Sequence, residues 1–182
     1  MTDFELRIRV TQSLADVPAH AWNMCAGEAV ETITQPIRKL KSTPGDNLSP
    51  ALSTRGNLPN PFVSHEFLSA LEASGSVGGR TGWQPTHLLS EDVAGDLLAV
   101  APCYIKMHSR GEYVFDHSWA EAFERAGGSY YPKLQVAVPF TPVTGPRLLA
   151  RVGSHSEAVR GALADALVEI TTASDLSSAH VT

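Results

Sequence analysis

Apolar residues recur along this chain with two different periods, and the period switches repeatedly from one end to the other. Phe4, Leu6, Ile8 and Val10 alternate with Glu5, Arg7 and Arg9, the period of two of a half-buried strand. Val17, Ala21, Trp22 and Cys25 then recur at helical spacing after Ser13 and Asp16, either of which can cap a helix that tolerates Pro18 in its first turn. Such switching rules out a helical bundle and an all-β sandwich. It demands a mixed α/β (α+β) chain in which helices cover a sheet.

The same reading continues downstream. Ser64 is placed to cap a helix with Phe67, Leu68 and Leu71 on one side, Val63 stapled onto Leu68, and Gly75 at its end. Two strands are predicted at about 83–90 and 96–107, joined by the turn 91–96, with Pro102 marking an edge or a bulge. Ser118-Trp119-Ala120-Glu121 reads as a capping box opening a helix with the stripe Trp119, Ala122, Phe123 and Ala126, stopped by Gly127-Gly128. Leu134, Val136 and Val138 alternate as a strand, and a Pro-rich turn leads to another at 147–152. A second capping box, Ser154-His155-Ser156-Glu157, opens a helix with the stripe Val159, Leu163, Ala166, Leu167 and Ile170. Residues 178–182 begin a strand that stops at its second apolar position, the expected mark of a sheet incomplete at the C-terminus.

Between the first strand–helix unit (1–27) and the main body (60–182), residues 28–59 break the pattern. Pro36, Pro44, Pro50 and Pro59 alternate there with Gly and small polar residues, and the stretch reads as a mobile insertion. The chain has 182 residues and a net charge of −5, enough for a core without staples and without the overall basic footprint of a nucleic-acid binder. Cys25 and Cys103 sit in apolar company far apart, so free buried thiols are expected, with no zinc site or other metal. No apolar run approaches the roughly 20 residues of a membrane span, and the N-terminus lacks a signal-peptide core, so a cytoplasmic protein is the expectation.

Two stretches carry a resemblance. NPFVSHEFLSALEASGSVGGRTGWQPTHL (60–88) and YIKMHSRGEYVFDHSWAEAFERAGGSYYPKLQVAVPFTPVTGPRLL (104–149) resemble the FemAB-like branch of the GNAT acyltransferases, described as peptidoglycan biosynthesis or recognition proteins. The resemblance implies a GNAT-like mixed, largely antiparallel sheet flanked by helices. It also implies transfer of an acyl or aminoacyl group to an amine, with acyl-CoA or aminoacyl-tRNA as donor. Members are usually about twice this long, which adds to the expectation of a truncated domain. Residues 28–59 depart from the pattern, since in the family the first helix runs almost straight into the 60–88 segment.

Amide formation needs a base for the attacking amine, donors for the oxyanion and a grip on the donor substrate. GNAT enzymes grip it with a Gly-rich turn of the form Arg/Gln-x-x-Gly-x-Gly/Ala. The corresponding place here offers Thr144, Gly145 and Arg147, then Arg151, without completing that pattern. A rigid strand-to-strand turn is the alternative reading. The loop 108–117 gathers His108, Arg110, Glu112, Asp116 and His117. Glu112 or Asp116 can serve as base, His108 as proton relay, and Arg110 as partner of a phosphate or carboxylate on the acceptor. The plainer reading is a hydrogen-bonded loop in which Asp116 and Ser118 cap the next helix. Tyr130, Tyr131 and Lys133 can line a groove for a sugar, peptide or nucleotide, with Tyr131 as general acid, or simply form a half-buried strand entry. Ser64-His65-Glu66 reads as a helix start rather than a site.

The expected activity is therefore transfer onto a small-molecule or peptide amine, with a tRNA-borne donor as one option. The alternatives are a recognition half of a tandem protein that holds the acceptor without catalysis, and a truncated product without stable function. An incomplete sheet would also leave an edge that invites a homodimer.

Overall fold

The computed structural model describes residues 5–27, 60–113, 116–153 and 155–182. The predicted insertion 28–59, Phe4 at the start of the first strand, and Ser154 of the second capping box lie outside the described residues, as do Val114 and Phe115.

The elements run β1 (Arg7–Thr11), α1 (Ala19–Ala26), α2 (His65–Ala73), β2 (Trp83–Pro85), β3 (His87–Glu91), β4 (Leu97–Ala101) and β5 (Cys103–Lys106). They continue with α3 (His117–Arg125), β6 (Lys133–Val136), β7 (Leu149–Ala150), α4 (Ser156–Ala173) and β8 (Ala179–Val181). The strands form two four-stranded sheets, ordered β1-β3-β4-β7 and β2-β5-β6-β8. Every described pairing is antiparallel except β6 with β8. The mixed, largely antiparallel sheet structure flanked by helices is thus what the sequence led one to expect.

Period-two alternation distributes the core over both faces of the first sheet. Leu89 and Val100 point to one side, where Leu14, Trp22 and Leu68 bring in α1 and α2. Leu88, Ala99 and Ala101 point to the other, where Leu163 and Leu167 bring in α4. Leu88, Leu89, Ala99 and Val100 are all fully buried, so the sheet is a filling between two helical layers. The stripes of α1 and α4 were legible because each helix buries a single face: Val17, Ala21, Trp22 and Cys25 are buried, as are Val159, Leu163, Ala166 and Leu167. Burying one such Leu side chain contributes about 1.5–3 kcal/mol. Trp22 also donates its indole N–H to the Val63 carbonyl at 2.9 Å, which ties α1 to the start of α2.

Several boundaries differ from expectation. The helix predicted from Asp16 is split: Ser13 caps a short 3-10 turn, Leu14–Asp16, and α1 begins only after Pro18. The two strands predicted at 83–90 and 96–107 each divide in two, at Thr86 and Pro102. There the ribbon passes from one sheet to the other, held at the crossing by the Thr86 amide on the Cys103 carbonyl at 2.8 Å. Pro102 has no N–H to give the ladder, which is why the break falls on it. The strand predicted at 147–152 pairs over only Leu149 and Ala150.

The capping box at Ser118 does not cap. The helix starts two residues earlier, with Asp116 at the N-cap position and no side-chain cap, because the Asp116 carboxylate is engaged elsewhere. The α3 stripe is not buried either: Trp119 is 73% exposed and Phe123 44%. Ser64, by contrast, caps α2 by accepting from the Phe67 amide at 3.3 Å. Glu66 beside it accepts from Asn23, which confirms the structural reading of that motif.

A candidate site on the open face of the second sheet

In the second sheet the alternation sends Leu134 and Val136 of β6, with Cys103 and Ile105 of β5, toward α4. The intervening residues, Tyr104 and Lys106 of β5 and Lys133 and Gln135 of β6, therefore share the opposite face. The register sets Lys106 directly opposite Lys133 and Tyr104 opposite Gln135, while Trp83 of β2 lies opposite Lys106. Both lysines are almost wholly buried, at 0% and 1% exposure. Two like charges facing each other without water would be untenable unless carboxylates came between them.

The loop after β5 supplies those carboxylates. Lys133 Nζ donates to Glu112 Oε2 at 2.8 Å and to Asp116 Oδ2 at 2.5 Å, and Lys106 Nζ lies 4.0 Å from Glu112 Oε1. Lys106 also donates to the Arg110 carbonyl at 2.8 Å and stands 3.6 Å from the centroid of the Trp83 ring. Tyr131 donates its hydroxyl to Asp116 Oδ1 at 2.9 Å. Glu112, Asp116, Tyr131 and Lys133, which the sequence offered as separate candidates, thus form one network, and Lys106 completes it.

Burial raises the Glu112 carboxyl above its ordinary range, and the Lys133 charge opposes the rise only in part. For Asp116 burial acts in the same upward direction, yet the hydrogen bonds from Lys133 and Tyr131 outweigh it and leave the group lowered. Burial pulls the Lys106 ammonium down to about 8, with Glu112 opposing and Lys133 reinforcing. Burial, together with Asp116, pushes Tyr130 up to about 12 and raises Tyr131 further. The two carboxylates are therefore unequal: Asp116 is lowered, whereas Glu112 is raised and holds a proton more readily than an ordinary carboxylate.

They also face different clefts. Glu112 lines a cleft of about 500 Å³ with Trp83, Gln135, Val143, Thr144 and Arg147. Asp116 lines a second one of about 480 Å³ with Trp119, Phe123, Tyr130 and His180. Gly111 fixes the loop between them. Its φ of +81° suits glycine, and a Cβ there would come within 2.5 Å of the Phe140 ring and 2.7 Å of Trp83 Nε1. Phe140 itself has a φ of +62° and donates its amide to the Gly111 carbonyl at 3.2 Å.

The remaining sequence candidates are placed as follows. Arg110 is exposed and joins the site through its carbonyl, which accepts from Trp83 Nε1 and Lys106 Nζ. His108 accepts from the Arg110 amide at 3.2 Å, and its ring covers Gly82. The desolvation of that ring and the nearby Lys106 and Arg110 charges lower its pKa. Thr144 and Gly145 lie on the rim of the first cleft, with the Thr144 carbonyl accepting from Asn60 at 3.2 Å. Arg147 is buried and turned onto carbonyls, those of Val143, Gly145 and Pro146 in its own turn and that of Thr182. Arg151 stands apart at the end of β7, near Cys25, whose thiol burial pushes up to about 11 against the opposing Arg151 charge.

Sequence reasoning missed Lys106, Gln135 and Trp83. Period two in YIKM and KLQV marked their common face, but nothing in the sequence said that β5 and β6 are neighbours. Both cysteines are free and buried, as expected. Among the described residues no group of three or more acidic, His or Cys side chains could hold a metal ion, and no helix is long and apolar enough to cross a membrane.

A family model for FemAB-like proteins of peptidoglycan biosynthesis/recognition matches residues 13–182. No curated protein and no solved structure gives a match.

Proposed function

The chain belongs to the FemAB-like family of peptidoglycan biosynthesis/recognition, and on that premise we propose that its first cleft binds an amine acceptor and that Glu112 is the base for acyl or aminoacyl transfer to it. The observation that carries the proposal is the state of Glu112. It lines the cleft, its side chain is 8% exposed, its Oε1 has no hydrogen-bond partner, and burial raises its proton affinity. A base that must take a proton from an amine near neutral pH needs such a raised carboxyl.

The step balances simply. The amine gives a proton to Glu112 as its nitrogen attacks the donor carbonyl carbon. The new C–N bond forms, the bond from that carbon to the donor oxygen or sulfur breaks, and the proton passes to the departing atom. Lys133 holds Glu112 in place and Asp116 holds Lys133, so Asp116 acts as a positioning residue. Tyr131, bound to Asp116 and strongly raised, supports that arrangement better than it supports a general acid.

A recognition role is the second reading, and Arg147 favours it. Its guanidinium is committed to backbone carbonyls, which leaves the 141–147 turn without a cation to offer a donor phosphate. The discriminating experiment compares the unmodified chain with Glu112→Gln for transfer of labelled acyl or aminoacyl groups to a peptidoglycan precursor, and for precursor binding. Transfer lost with binding retained supports the base. Binding without any transfer in either protein supports recognition alone.

A further inference from the structure

Lys106 is a buried charged group that the transfer step leaves unused. Its side chain is 0% exposed on β5, with Trp83 opposite it on one neighbouring strand and Lys133 on the other. An ammonium kept from water must be held by other groups. Here the Arg110 carbonyl accepts from it at 2.8 Å, the Trp83 ring centroid lies 3.6 Å away, and Glu112 Oε1 lies 4.0 Å away.

The Arg110 carbonyl belongs to the turn that delivers Glu112. The Glu112 amide donates to the Ser109 carbonyl at 3.2 Å, so Arg110 and Gly111 are the central pair. A positive φ at Gly111 and not at Arg110 is the mark of a type II turn. Type I and type II turns differ by a flip of the central peptide, and the oxygen of that peptide is the one held by Lys106 and, at 3.1 Å, by Trp83 Nε1. The Glu112 carboxylate is itself unevenly held. Lys133 donates to Oε2 at 2.8 Å, whereas Oε1 has no hydrogen-bond partner and is faced by Lys106 from beyond hydrogen-bond reach.

We propose that Lys106 is a positioning residue for Glu112: its ammonium anchors the Ser109–Glu112 turn through the Arg110 carbonyl and stands as the fixed counter-charge of Glu112 Oε1. The inference rests on the reading of Glu112 as the base of the first cleft and adds the group that keeps it ready. Burial favours the protonated carboxyl, which can take nothing from an amine, and Lys133 and Lys106 both oppose it. Lys106 does so by charge alone, without occupying the oxygen. The other charges that bear on Lys106 are Lys133 and Asp116, and His108 in the same loop feels the Lys106 charge in turn.

The test reads the two charges directly. The Glu112 carboxyl is followed by carbon NMR through a pH titration of the full chain, its resonance assigned by its loss in Glu112→Gln. Lys106→Met and Lys106→Gln should both move the Glu112 titration to higher pH. A merely structural role predicts the opposite sign, since a loosened turn lets water reach the carboxyl and moves it down. Hydrogen exchange at the Glu112 amide should quicken about tenfold or more in Lys106→Met. The interaction is mutual, so Glu112→Gln should move the Lys106 titration below its value of about 8 in the unmodified chain. A Glu112 titration that stays or falls in the Lys106 variants, unchanged exchange in Lys106→Met, or a Lys106 titration unmoved in Glu112→Gln overturns the proposal. If the Lys106 variants lose their cooperative unfolding transition, the Glu112→Gln measurement decides, because it leaves Lys106 in place. Titrations that move as stated without transfer by any of these proteins leave this inference intact and remove the base reading. A transfer profile that follows Glu112, with a Glu112 titration indifferent to Lys106, does the reverse.

Discussion

Replacing Lys133 by Met is the perturbation most tightly constrained by the geometry. Its ammonium is the shared partner of Glu112 at 2.8 Å and Asp116 at 2.5 Å, and the side chain is 1% exposed. Methionine fills similar space but leaves two carboxylates without their closest cation. Breaking a buried pair by removing one member costs about 3–5 kcal/mol. Lys106 still lies 4.0 Å from Glu112, and Tyr131 still bonds Asp116, so the lower end, about 3 kcal/mol, applies near neutral pH. At about 2–4 °C per kcal/mol for a chain of this size, the melting temperature should fall by about 6–12 °C. The sign of the pH dependence follows from Asp116. Its lowered pKa contributes stability that is present above its unfolded pKa of about 3.9 and lost as pH falls through the folded value. The variant lacks that contribution and instead carries carboxyls raised by burial, a penalty that disappears once both are protonated. Urea unfolding followed by circular dichroism at about pH 7.5 and about pH 4 should therefore show a wide gap that narrows in acid. A difference under about 1 kcal/mol at neutral pH, or a gap unchanged at pH 4, would refute the shared-cation account.

Other expectations follow from single residues. Gly111→Ala places a Cβ against Phe140 and Trp83 at a positive φ, so it should destabilise by about 2–3 kcal/mol in thermal melts and reduce any transfer activity through Glu112 next to it. Leu163→Ala, in the fully buried face of α4, should lose about 2–5 kcal/mol by urea titration. Burial pushes the thiols of Cys25 and Cys103 up to about 11 and about 12, so a thiol reagent at neutral pH should leave both unmodified in the native chain and label both in denaturant. If Glu112 is the base, transfer should rise with pH through its raised pKa, and Glu112→Gln should abolish that limb of the profile.

The helices that bury one face were readable because their periodicity and their packing are the same fact, as Trp22 and Cys25 in α1 and Leu163 and Leu167 in α4 illustrate. α3 was read as a helix for the same reason, but periodicity does not say whether a stripe finds a partner, and Trp119 remains in solvent. Its cap was misread because Asp116 and Ser118 satisfy the local rule, while the decisive competitor, Lys133, lies far along the chain. The charged loop was recognisable by composition, and Glu112 and Asp116 were both among the candidates. Their unequal states were not, since these depend on the cross-strand register that sets Lys106 opposite Lys133. Pro102 announced a break in its strand, whereas the exchange between two sheets depends on which strands lie beside it, and no local signal carries that.

The parallel pairing of β6 with β8 also bears on the shape of the cleft. Gln135 takes its orientation from Thr182, and Arg147 is anchored on the carbonyl of the same residue. Antiparallel neighbours such as β3 and β4 can zip together from their turn, but β8 must first be carried back past β7 and the whole of α4. The cleft therefore keeps its shape only while β8 stays paired, and losing that short pairing would release Gln135 and Arg147 together.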